Sequence, residues 1–157
     1  MKRVIVATLF LFVVITASSV FAQTPSFKVV WKEGVIVGLL VPPNTTEKQL
    51  TDLVYKFRQA KKEKTLAALI PPVNRLYVSD PYTRFIIFIF SDPKWATVEE
   101  YKKYDRASTT TAEDRAISKA YINHIMACYE YEIDKEYGSL GFDDYGTDKS
   151  VHYKKLF

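Results

Sequence analysis

Residues 85 to 90 read Phe-Ile-Ile-Phe-Ile-Phe, six consecutive bulky apolar side chains that all favour extended backbone. Successive side chains of a strand point to opposite faces, so neither face of this run is polar. Turn signals bound it, Asp80-Pro81 before and Ser91-Asp92-Pro93 after, and the run is too short for a buried helix. It is therefore read as a central strand, Arg84 to Phe90, and the rest of the chain must supply its neighbours.

Phe27 to Lys32 and Val35 to Val41 are two apolar runs joined across Glu33-Gly34, the pattern of a β-hairpin. The second run is apolar on both faces and ends at Pro42-Pro43, which cannot donate to a ladder. Arg75 to Val78 reads as a short edge strand. Thr46-Glu47-Lys48-Gln49 is a capping box, and Leu50, Leu53, Val54, Phe57 and Ala60 then recur at helical spacing. Thr97-Val98-Glu99-Glu100 opens a short helix to about Arg106. Thr110-Thr111-Ala112-Glu113 opens a longer one, expected to reach roughly Lys135 with Ile117, Tyr121, Ile125, Cys128 and Tyr129 on its buried face. Strands and helices do not alternate strictly, so the fold class expected is α+β: a small, mostly antiparallel sheet, a β-hairpin plus the central strand, packed with about three helices.

The N-terminus has the three regions of a secretory signal. Lys2 and Arg3 precede the apolar stretch Val4 to Ile15, and Val20-Phe21-Ala22 offers small side chains at the −3 and −1 positions of a peptidase site. The apolar core is shorter than the roughly 20 residues a spanning helix needs. Residues 1–22 are expected to be removed, leaving Gln23 at the N-terminus of a secreted or periplasmic, bacterial-type protein with no stable membrane insertion. That chain carries 20 basic and 18 acidic residues, a net +2 that demands no nucleic-acid partner. Cys128 is the only cysteine, so no internal disulfide can form, and it reads as a small core residue.

Residues 23–136 then make the α+β domain and 137–157 a C-terminal tail. The tail holds Gly138, Gly141 and Gly146, together with Tyr137, Leu140, Phe142, Tyr145, Tyr153, Leu156 and Phe157. Disordered tails are poor in aromatics. This one is expected to dock on the domain, without regular helix.

Chemistry is harder to read. His124 and Cys128, four residues apart on the expected long helix, would share a face as two metal ligands must, but further ligands are missing. They remain weak candidates, and neither a metal nor a cofactor is expected. Asp143, Asp144 and Asp148 around Gly146 fail the alternating calcium-loop pattern. Glu130, Glu132, Asp134 and Glu136 crowd the expected helix end, where the dipole disfavours them, and Lys149, Lys154 and Lys155 are the expected offset. No nucleophile elbow, phosphate loop or Cys-x-x-Cys is present.

All eleven tyrosines lie beyond residue 22. Tyrosine offers large contact area and a hydroxyl at low entropic cost, which suits binding surfaces. The sequence is therefore read as an exported binding or interaction module of the cell envelope or extracellular space. Tyr137, Phe142, Tyr145 and Tyr153 are the candidate binding residues, and the partner a protein, a glycan or a second copy of the chain. Two alternatives stand beside it: a small envelope hydrolase with a metal-assisted site near His124, and a structural subunit of a surface assembly.

Overall fold

The computed structural model describes residues 24–71, 84–107, 110–133, 135–144 and 148–157. The expected signal segment, the Arg75–Val78 strand, the Asp80-Pro81 turn and Tyr145 lie outside them. Among the described residues there are six strands and four helices. They are β1 (Lys28–Glu33), β2 (Ile36–Leu40), α1 (Glu47–Lys62), α2 (Leu66–Leu69), β3 (Phe85–Phe90), α3 (Val98–Arg106), α4 (Ala112–Ile122), β4 (Ala127–Glu132), β5 (Lys135–Leu140) and β6 (Lys154–Lys155).

The strands form one sheet in sequence order, β1-β2-β3-β4-β5-β6. β2 and β3 run parallel; the other four pairings are antiparallel. The fold is α+β with a mostly antiparallel sheet, as expected, but six strands make that sheet larger than a hairpin and one central strand. β3 is third in the order and buried at all six positions. Phe85, Ile87 and Ile89 enter a core with Leu53, Val54 and Phe57 of α1. Ile86, Phe88 and Phe90 enter a second core with Tyr101 of α3 and Tyr121 and Ile122 of α4. Each such side chain contributes about 1.5–3 kcal/mol on burial. The all-apolar run thus fixes a three-layer arrangement, with α1 and α2 on one face of the sheet and α3 and α4 on the other.

The local signals explain the element ends. Thr46 and Gln49 make both bonds of the capping box at α1. Thr97 accepts from the Glu100 amide at α3. At α4 the cap is Thr111, accepting from the Asp114 amide, one residue later than the Thr110–Glu113 pairing expected. The β1–β2 turn sits at Gly34-Val35, where Gly34 takes a φ of +54° without a β-carbon penalty. Trp31 of β1 lies across Gly38 of β2, so that a β-carbon there would come within 2.8 Å of the indole Cδ1, and stacks on Tyr101 at 4.9 Å.

The long helix expected to reach Lys135 is wrong. α4 stops at Ile122, Asn123 caps it, and Ala127 to Glu132 become β4 beside β3. The segment Cys128-Tyr129-Glu130-Tyr131-Glu132 alternates with period two. Tyr129 and Tyr131 join the α1 core, while Cys128 faces the other way. Central-strand pairing outweighs the helical spacing of Ile117, Tyr121, Ile125 and Cys128, and Ile117 is in fact exposed. The boundary expected between residues 136 and 137 falls inside β5.

Candidate functional site

β5 lies near one edge of the sheet, and the chain beyond Leu140 wraps back over that edge. Gly141 turns the chain with a φ of +64°, and a β-carbon there would lie 3.1 Å from Tyr153 Cα. Ser150 then fastens the returning segment. Its hydroxyl donates to the Ile122 carbonyl at 2.6 Å, and Phe142 N–H donates to that hydroxyl at 2.9 Å. Val151 N–H donates to the Asn123 side chain at 2.9 Å, and His152 Nε2 lies 3.0 Å from the Ile125 carbonyl. Ser150 is thereby a second donor to the Ile122 carbonyl, which also accepts from the Ile125 N–H at 3.2 Å. β6 then pairs with Ser139 and Leu140, and Leu156 N–H donates to the Gly138 carbonyl at 2.8 Å.

This wrapping leaves a cavity of about 270 Å³ beside β5, lined by residues of β4, β5 and the returning segment. Tyr137, Phe142 and Tyr153 all border it. Three of the four candidate binding residues are therefore brought to one place, while Tyr145 lies outside the described residues. Their roles differ. Phe142 is buried and packs edge-on against Phe88 at 4.9 Å, so it is floor. Tyr137 is 40% exposed and Tyr153 half-buried, so they are walls a ligand can reach.

Glu130, Ser139, Asp143, Lys155 and Phe157 also line the cavity, and sequence reasoning did not single them out as binding residues. Alternate acids diverge on a helix, the element expected at Glu130. On a strand they share a face, and Arg84 spans Glu130 at 2.9 Å and Glu132 at 4.0 Å. Burial is the largest influence on the Glu130 carboxyl and raises its pKa; Arg84 opposes that rise. Glu136 accepts from Arg58 at 2.9 Å and from the Tyr129 hydroxyl at 3.2 Å. The expected lysine offset is thus corrected: Arg84 and Arg58 serve these carboxylates, while Lys149 pairs with Asp143 at 2.8 Å and Lys154 with Glu47 at 3.0 Å.

The acidic loop is committed to donors of the protein itself. Tyr104 hydrogen-bonds Asp144, and Asp148 accepts from the Lys149 amide at 3.0 Å. Burial raises the Asp144 pKa most, with Asp143 and Asp148 adding to it and the Tyr104 bond opposing.

His124 and Cys128 do not share a helix face. His124 lies in the turn after α4 and stacks on Trp95 with ring centroids 4.2 Å apart and planes 9° apart. Cys128 is buried in β4 opposite Phe88, and burial pushes its thiol pKa well up. Among the described residues no group of three or more His, Cys, Asp or Glu side chains is placed to hold a metal ion. Nor is any helix among them long and apolar enough to cross a membrane.

No family model matches this chain, and no curated protein or solved structure matches it.

Proposed function

We propose that the chain is an exported binding module of the cell envelope or extracellular space and that the cavity beside β5 receives its partner. The observation that carries this reading is the convergence of Tyr137, Phe142 and Tyr153, drawn from β5 and the segment that returns over it, on one concave site. Small-ligand sites pair an apolar, aromatic lining with a few placed polar groups, and this lining has that character. The lining's carboxylates are engaged by the protein's own cations, Glu130 by Arg84 and Asp143 by Lys149, which leaves the tyrosines and Lys155 as the polar groups offered to a ligand. Export rests on the order and lengths of the N-terminal regions, Lys2-Arg3, Val4 to Ile15 and Val20-Phe21-Ala22.

Two measurements test it. N-terminal sequencing of protein recovered from envelope or medium should begin at Gln23; intact Met1 in a membrane fraction contradicts export. The chain from Gln23 onward, used as bait on envelope extract, should retain a partner that the Tyr137→Ala, Tyr153→Ala double variant does not. Equal retention by both contradicts the site.

A further inference from the structure

The cavity's chemistry narrows its occupant, provided that the cavity is the binding site proposed above. Tyr137, Tyr153 and Lys155 border it, and their hydroxyls and ammonium make no hydrogen bond or ion pair with other described residues. Glu130 is paired with Arg84 and Asp143 with Lys149, so among the described side chains of the lining Lys155 is the charged one without an ion-pair partner. An extended peptide would normally add to the free edge of β5, but from Gly138 to Leu140 that edge is taken. Lys154 pairs with Leu140, Leu156 N–H donates to the Gly138 carbonyl, and Gly138 N–H donates to the Phe157 carbonyl at 3.5 Å. A volume of about 270 Å³ is also small for a helix face and suits one or two compact rings. Tyr137 offers its ring as a stacking platform, whereas Arg58 already covers Phe157 at 4.1 Å.

We infer that the site takes an acidic saccharide. The sugar ring lies on Tyr137, its hydroxyls exchange hydrogen bonds with the Tyr137 and Tyr153 hydroxyls, and its carboxylate meets Lys155. Tyrosine hydroxyls both donate and accept, as a polyol needs. The ammonium selects an acid over its neutral counterpart.

The test is amide chemical-shift mapping of the chain from Gln23 onward. The probes are trigalacturonate, maltotriose and an acetylated tetraglutamate peptide. Trigalacturonate should shift residues 137–142 and 153–156, bind at least tenfold more tightly than maltotriose, and weaken as salt rises. Lys155→Gln should remove most of that preference without lowering the melting temperature, and Tyr137→Ala should abolish both sugars' binding. If tetraglutamate alone shifts the groove, the saccharide class is wrong and the binding site stands. If no probe shifts the groove while the bait experiment still captures a Tyr137-dependent partner, the saccharide class is again wrong. If the bait also captures nothing, the site itself falls. Equal affinity for maltotriose and trigalacturonate overturns the role of Lys155.

Discussion

Phe157 fills the space that a side chain at Gly138 would need. A β-carbon on Gly138 would lie 2.6 Å from Phe157 Cε1 and 2.8 Å from Val54 Cγ1. The last residue of the chain is thereby wedged between β5 and α1, with Tyr55 5.2 Å away, ring to ring, and Arg58 over its face. Gly138→Ala should therefore cost about 1–3 kcal/mol, the usual penalty of overpacking. In a Phe157→Ala background the same change should cost less, by at least about 0.5 kcal/mol, because its main clash is gone. Thermal or urea denaturation of the four proteins checks this. Strict additivity would mean that Phe157 is not seated there.

Cys128 should be unreactive in the folded protein. Its thiol is buried in β4, and burial raises its pKa, which lowers the fraction of the reactive thiolate. Labelling by a thiol reagent at pH 7.5 should follow global unfolding, accelerating with denaturant. Fast stoichiometric labelling in native buffer would contradict this packing.

His124 should make stability fall in mild acid. Burial is the largest cause of its lowered pKa, with Lys94 and His152 adding and Asp92 opposing. Because the folded-state pKa lies below the ordinary value of 6.5, the unfolded chain binds this proton more readily. The contribution is complete above pH 6.5 and is lost as pH falls through the folded value. Trp95 emission should report the same titration, since protonated imidazole quenches a stacked indole more strongly than neutral imidazole. In His124→Gln the acid-side quenching should vanish. A midpoint above 6.5 would contradict the direction of the shift.

The central strand, the first hairpin, α1 with its capping box, and the start of α3 are legible because each rests on local chemistry: apolar runs, a Gly-containing turn, Thr caps. The α4–β4 boundary is not. Ile117, Tyr121, Ile125 and Cys128 satisfy helical spacing, and the two-residue alternation of Tyr129 and Tyr131 is hidden inside it. What decides between them is the pairing of β4 with β3, a long-range fact. The same ambiguity scatters the site. Glu130 and Tyr137 meet as a cross-strand pair, a neighbourhood that a helix ending at Lys135 cannot show. Composition alone points to the three aromatic site residues. It does not point to Lys155 and Ser139, because only the wrapping of the tail carries them together at β5.

The claim that this cavity is where the protein meets its partner is tested most directly by hydrogen–deuterium exchange of the bait, free and loaded from envelope extract. New protection should be confined to residues 135–142 and 150–157, with α1 and α3 unchanged and the pattern absent in Tyr137→Ala. Protection centred elsewhere, such as on the exposed face of α4 around Ile117, or the same protection in Tyr137→Ala, would contradict it.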